Sequence, residues 1–246
     1  MNVKNIVFAG CSFTCGAWSS YLAQNYFPSS KMINLSFPGV GNDFIADTLI
    51  KYLSSSQLDT ETTLVFVMWS GTTRKDFLVS QEFFNTVSNN NGTYCKKFIN
   101  GEHYIISGGI SGAWQGSPEI RPIFDNFYKV TDYYSLANYS LSNMVKTKNY
   151  LENNNYKYKF LSYVNYWVDT PSIVSPNMDI SLTYYGKNNP LLHQLGDQWI
   201  WADENKNCLY EFAKEHTMFI KEDKFHPNDA AHQQFVDKFI ITDLKI

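Results

Sequence analysis

Arginine is nearly absent from this 246-residue chain: Arg74 and Arg121 stand against 18 lysines. Acidic residues number 23 and the formal net charge is −3. No charge excess is available to grip a phosphate backbone, which argues against general DNA or RNA binding. Cysteine is scarce too. Cys11, Cys15, Cys95 and Cys208 form one C-x3-C pair and two distant singletons. That is not a zinc-site spacing, and it is too sparse for a disulfide framework, so reduced thiols in a cytosolic setting are expected. Long hydrophobic runs are missing. The segment Met1 to Asn5 leads into four apolar residues, Ile6 to Ala9, before Gly10, so no signal peptide is expected. No stretch approaches the roughly 18 apolar residues of a membrane span. What is plentiful is core material: 44% of residues are hydrophobic and 17% aromatic, which excludes an intrinsically disordered chain.

The pattern alternates strand, loop and helix. Lys4 to Ala9 reads as a short buried strand, and Ala17 to Gln24 as a helix with Trp18 and Leu22 one turn apart on its inner face. Met32 to Ser36 reads as a second strand, and Asp43 to Leu53 as a helix aligned by Ile45, Leu49 and Leu53. Thr63 to Trp69 is apolar on both faces, as a central parallel strand requires. Lys157 to Tyr163 should be the next strand, and His226 to Phe239 a closing helix that carries Phe235 and Phe239 inward. Such alternation implies an open parallel sheet covered by helices on both faces. Aromatic-rich stretches at about 75–122 and 167–204 interrupt it, with Tyr104 to Ile106 expected in a small hairpin or a lid. Between them, Phe124 to Asn153 should form one or two long helices.

Three features carry chemistry. Ser12 lies just past the first strand and just before a helix, where active groups of open α/β sheets collect and where the helix dipole favours an oxyanion. The plainer role for a serine there is a helix cap. In Asp223-Lys224-Phe225-His226-Pro227-Asn228 a carboxylate precedes a histidine by three residues, within reach of its Nδ1–H. Pro227 suits the first turn of a helix. The plainer reading is a surface aspartate and a capping histidine. Pro38-Gly39-Val40-Gly41-Asn42 is either a tight turn or a loop that brings backbone N–H groups and the Asn42 amide to a reacting oxygen. Other candidates carry less. Cys11 is an alternative nucleophile. His232, six positions past His226, is off its face, forms no two-histidine zinc motif and reads as helix surface. His103, His193 and His216 have no partner pattern. Trp114, Trp167, Trp199 and Trp201 read as a sugar-stacking wall or as core and lid packing.

Taken in order, these blocks resemble the SGNH, or GDSL-like, hydrolase family. Gly10-Cys11-Ser12-Phe13-Thr14-Cys15-Gly16 looks like its Gly-Asp-Ser-x-Thr-x-Gly block, and Asn34 to Gly39 like its Asn-x-Gly-x-x-Gly block. Asp223 to His226, followed by Pro227, Asn228 and His232, looks like its last block. The resemblance spans both ends of the chain and leaves the middle unmatched. It implies one α/β domain over residues 1–246: a three-layer α/β/α, flavodoxin-like fold with a parallel sheet and insertions. By the same resemblance Ser12 is the nucleophile, His226 the general base and Asp223 the orienting acid, with oxyanion donors from the backbone of Ser12 and Gly39.

Two departures stand out. Cys11 replaces the usual aspartate, a position outside the triad. Gly71-Thr72-Thr73-Arg74 stands where the family has Gly-x-Asn-Asp, so Thr73 replaces the third oxyanion donor with a shorter hydroxyl. Asn42 is expected to rebuild that donor, the alternative being that it caps the helix beginning at Asp43. The implied activity is that of a serine esterase acting on a small ester, an O-acetyl group on a carbohydrate, through an acyl-enzyme and with no metal or organic cofactor. A catalytically silent binding or structural module, as in a virus particle, and an O-acyltransferase with the same triad are the rivals. The expected partner is a small-molecule or glycan ester rather than nucleic acid or membrane, and the expected location is cytoplasmic or virion-associated.

Overall fold

Apolar runs separated by glycine-rich turns build the sheet. The computed structural model describes residues 2–91, 95–97, 101–110, 118–171, 173, 179–222 and 225–245. Strand β1 (Asn5–Ala9) leads into the one-turn helix α1 (Ser12–Cys15) and then α2 (Ala17–Tyr26). Strand β2 (Lys31–Asn34) is followed by α3 (Asn42–Ser55), and β3 (Thr63–Trp69) is buried at all seven positions. The first insertion holds β4 (Asp76–Val79), α4 (Gln81–Asn91), β5 (Cys95–Lys97) and β6 (His103–Ile106). Two helices follow, α5 (Arg121–Val130) and α6 (Tyr133–Asn153), the second capped by Asp132, whose carboxylate accepts from Ser135 N at 2.7 Å. Strand β7 (Lys157–Ser162), short α7 (Leu182–Gly186), α8 (Leu209–Glu215) and α9 (Asp229–Phe235) come next. A π-helical turn (Val236–Ile240) and α10 (Ile241–Leu244) close the chain.

The main sheet is parallel, in the order β2-β1-β3-β7. A short segment at 198–200 extends it beyond β7: Phe160 N donates to Gln198 O at 2.8 Å and Ile200 N to Phe160 O at 2.9 Å. Helices α2 and α9 pack on each other, as do α3 and α6. Phe8 stacks on Phe66 at 5.5 Å, and Trp18 meets both rings edge-on, so the inner face of α2 is the one its spacing implied. The doubly covered parallel sheet read from the sequence is therefore present.

One local expectation is extended, since the hairpin read at Tyr104 to Ile106 is part of a larger sheet, and two change. Residues Tyr104 to Ile106 belong to a three-stranded antiparallel sheet, β4-β6-β5, with a small core of its own around Val87, Ile105, Ile120 and Phe124. The closing helix starts at Asp229 rather than His226, because Asn228 Oδ1 accepts from Ala231 N at 3.0 Å and so caps it. It is then broken by the π-turn, and Phe239 is only half-buried. Among the described residues no helix is long and apolar enough to cross a membrane.

Candidate active site

Parallel strands place all their carboxyl ends on one edge of the sheet, and the candidate residues gather there. The turn from β1 into α1 is tight. A Cβ on Gly10 would overlap Thr14 Oγ1 and come within 2.9 Å of Met68 O, so glycine is required by close approach. Cys11 is the N-cap, and its carbonyl accepts from Thr14 N (2.9 Å) and Cys15 N (3.1 Å). Ser12 is thus the first residue of α1, and its own N–H has no intrahelical acceptor.

His226 reaches this point from the other end of the chain. Its loop is pinned on both sides: Ile220 N donates to His226 O at 2.9 Å, and Asn228 N to Met218 O at 2.9 Å. The ring lies beside Phe13 (5.2 Å) and Phe225 (5.1 Å). Its Nε2 is 2.9 Å from Ser12 Oγ. In the Nδ1–H tautomer this is the geometry of a nucleophile and its base. Asp223 lies outside the described residues.

Gly39 has φ of +80°, a conformation that favours glycine, and an added Cβ would sit 3.3 Å from Ile106 Cδ1. The peptide groups that follow it are clamped by the segment after β3. Val40 O accepts from Ser70 Oγ (2.7 Å) and Arg74 Nη1 (3.3 Å). Asp76 Oδ2 accepts from Gly41 N (2.7 Å) and Phe44 N (3.2 Å), which caps α3 from a distance in sequence. The N–H groups of Ser12 and Gly39 make no hydrogen bond to any described residue.

Asn42 and Thr73 are committed elsewhere. Asn42 is buried; its Nδ2 donates to Ser70 O (3.3 Å) and Ser140 Oγ (3.2 Å), and its Oδ1 accepts from Ser70 N (2.8 Å). It is the first residue of α3, and its side chain makes no capping bond. It braces the end of β3, which is neither of the roles expected for it. Thr73 is fully buried, and its hydroxyl and N–H both point at Asp179 Oδ1, at 3.4 and 3.5 Å.

Three charged residues that motif reading passed over surround this loop. Asp179 is fully buried and accepts from Tyr163 OH. Arg74 is 8% exposed, with its guanidinium 5.8 Å from the Tyr163 ring and its Nε without a partner. Burial lowers its pKa, but Tyr163, Cys11 and Asp179 raise it further, so the net direction is up and it stays charged. Asp76 is also buried, and its Oδ1 has no partner; burial, with Asp43 nearby, raises its pKa to about 7. Arg74 had a signal, as one of two arginines in a lysine-rich chain. Asp76 and Asp179 had none.

His232 is not on the surface. It is 4% exposed, with Nε2 2.9 Å from where a Cβ on Gly16 would lie, and burial lowers its pKa to about 4. Cys11 is buried beneath the turn, and Cys15 is exposed. His103 is buried against Phe84, His193 is exposed, and His216 Nδ1 lies 2.9 Å from Phe212 O. Among the described residues no group of three or more His, Cys, Asp or Glu is arranged to hold a metal ion. Trp167, Trp199 and Trp201 cluster together, while Trp114 lies outside the described residues.

No family model and no curated protein matches this sequence. Solved structures do match in shape. The esterase EstA of a Pseudoalteromonas species, in a structure inhibited by monoethylphosphonate, superposes with a TM-score of 0.51 at 12% identity, over 98% of this chain and 97% of that one. The YxiM protein of Bacillus subtilis gives a TM-score of 0.51 at 10% identity; the match covers all of this chain and 58% of the longer one. A member of the lipolytic G-D-S-L family from Veillonella parvula gives 0.49 at 11% identity, over 98% of both chains. The chain has the α/β fold of the SGNH/GDSL-like hydrolases that its end blocks resemble.

Proposed function

We propose that the protein is a serine esterase whose nucleophile is Ser12 and whose general base is His226. The observation that supports this most directly is the 2.9 Å approach of Ser12 Oγ to His226 Nε2, between residues 214 positions apart. A helix cap does not need a histidine there, and a surface histidine does not need a serine. In the proposed cycle the Ser12 hydroxyl loses its proton to Nε2 as its oxygen attacks the ester carbonyl. The N–H groups of Ser12 and Gly39, which lack acceptors among the described residues, receive the oxyanion. Nε2 then protonates the departing alcohol, and an acyl-Ser12 ester remains. Water, deprotonated by the same nitrogen, releases the acid. Asp223 takes the orienting role at Nδ1. An O-acetyl group on a carbohydrate is the substrate we favour, because the second insertion presents tryptophans on the same edge of the sheet.

The test is p-nitrophenyl acetate turnover by the unmodified protein, Ser12→Ala and His226→Ala. Each substitution should lower kcat by at least about 10³-fold. Turnover that survives Ser12→Ala would overturn the assignment. Inactivity of all three would favour a binding module, a reading supported by the turn of Thr73 toward Asp179. Transfer of acetyl to added sugars in preference to water would make the protein an O-acyltransferase.

A further inference from the structure

Beyond the candidate active site the described residues hold a groove of about 460 Å³, within the usual range for small-molecule sites. Three indoles make its walls. Trp199 and Trp201 stack in parallel at 5.1 Å, and Trp167 stands nearly perpendicular to both, at 5.0 and 5.8 Å. Trp199 is held from behind by Phe160, so this wall is braced by the sheet. Trp167 and Trp201 are half-buried and keep part of their surface in solvent.

Polar groups ring the aromatic surface. Thr183, Asp197 and Lys206 line the groove, and none of their side chains makes a hydrogen bond or ion pair with a described residue. The Lys206 ammonium sits 5.6 Å over the Trp167 ring, a cation–π contact that a ligand can displace or extend. Flat apolar walls with a carboxylate, an ammonium and a hydroxyl at the rim match a pyranose. Its C–H face packs on indole while its equatorial hydroxyls donate to a carboxylate and accept from an ammonium. A fatty acyl chain would leave those three polar groups without partners. A phosphorylated ligand would face one lysine and be repelled by Asp197.

Position sets the ligand's length. Trp167 follows β7 and Trp201 follows the segment at 198–200, so both lie on the edge that carries Ser12 after β1. The order β1-β3-β7-(198–200) makes three strand spacings between the two points, or about 14 Å. One sugar ring held at Ser12 does not reach that far, whereas an oligosaccharide does.

We propose that this tryptophan groove is an oligosaccharide-binding subsite, which seats a glycan chain whose ester group extends to Ser12. The link to Ser12 rests on the esterase reading; the binding itself does not. The test uses Ser12→Ala protein, so that no turnover intervenes, titrated with xylotetraose, cellotetraose and chitotetraose by tryptophan fluorescence and calorimetry. At least one tetraose should bind more tightly than about 10 mM and shift the emission. Trp167→Ala and Trp201→Ala should each weaken it by about tenfold or more. Asp197→Ala and Lys206→Ala, at exposed positions that leave the aromatic wall in place, should each weaken it by about threefold or more. No binding by any tetraose, or binding unchanged in all four variants, would overturn the subsite. p-Nitrophenyl acetate turnover is scored separately. Its absence alongside groove-dependent sugar binding would end the esterase reading and leave the subsite standing, and the reverse pairing would do the opposite.

Discussion

Replacing Asp76 by asparagine removes a buried charge while keeping an oxygen for the two N–H groups it holds, those of Gly41 and Phe44. The carboxyl is 3% exposed, lies near Asp43 and titrates near 7 instead of near 3.8. The sign follows from proton counts. Below pH 3.8 both the folded and the unfolded chain carry the proton. Between there and about 7 the unfolded carboxyl ionises while the folded one holds its proton, so folding loses stability as pH rises through that window. At about 1.36 kcal/mol per pH unit the loss is about 4 kcal/mol by pH 8, an upper bound for one group. Asparagine carries no charge at either pH.

Urea unfolding at pH 5 and pH 8 reads the difference directly. At pH 5 Asp76→Asn should lie within about 1–2 kcal/mol of the unmodified protein. At pH 8 it should be the more stable of the two, with most of that upper bound recovered. Asp76→Ala behaves differently: it leaves Gly41 N and Phe44 N without their acceptor, costs stability at both pH values, and loosens the loop that presents Gly39. Turnover should therefore rank Asp76→Asn above Asp76→Ala. A stability gap between Asp76→Asn and the unmodified protein that is the same at pH 5 and pH 8 would refute the reasoning.

Asn42→Ala should cost about 1–3 kcal/mol in urea unfolding, because the Ser70 N–H loses its acceptor in the core while Ser70 O keeps the Tyr166 hydroxyl at 2.8 Å; an unchanged midpoint would show that the brace is dispensable. Acidification should destabilise the protein through His232: its folded pKa of about 4 lies below the ordinary 6.5, so stability present above 6.5 is lost as pH falls toward 4, by up to about 3 kcal/mol. His232→Gln should flatten that part of the profile, and an equally steep decline in the variant would assign the loss to other groups. Gly39→Ala forces a Cβ into φ of +80° against Ile106, costs about 1–2 kcal/mol, and should lower kcat more than it raises KM. A larger effect on KM would place Gly39 in substrate binding instead.

What was legible in the sequence was local. Strands β1 and β3 are continuous apolar runs, β7 alternates lysine with aromatics before Phe160 and Leu161, and α2 and α3 repeat their buried residues at helical spacing, so their places follow from pattern. Ser12 and His226 were legible because each sits in a short block with turn residues around it. The small antiparallel sheet was legible only in part: Tyr104 to Ile106 reads as a hairpin or a lid, with Asn100-Gly101 before it and Gly108-Gly109 after it, but strands of three or four residues are too short for their pairing to follow from pattern. The π-turn after α9 falls where no glycine or proline marks a break. Asp76 and Asp179 act on residues 35 and 106 positions away, at Gly41 and Thr73, and such pairings leave no mark in spacing.

The loop after β3 shows why the motif and the site part company. In the resembled family this loop supplies an asparagine side chain to the oxyanion. Here the corresponding Thr73 is turned to the buried Asp179, and the adjacent positions serve the other face of the loop. Ser70 and Arg74 both hold Val40 O, while Asp76 holds the next N–H, that of Gly41. The Val40–Gly41 peptide group is thus held at both its carbonyl and its N–H by one short segment. A donor that does not reorganise as charge develops is worth more than a mobile one, because the cost of orienting it is met during folding. On the proposed reading, the segment supports the neighbouring loop instead of touching the oxyanion. Its two buried charges of opposite sign, Arg74 and Asp179, lie close enough to interact. Removing either would take a favourable interaction from the other in a low-dielectric interior. That interdependence ties the side chains of residues 70 to 76 to the fold as firmly as to the chemistry. Restoring asparagine at Thr73 would therefore take away a hydrogen bond to Asp179 before it could add one to the oxyanion.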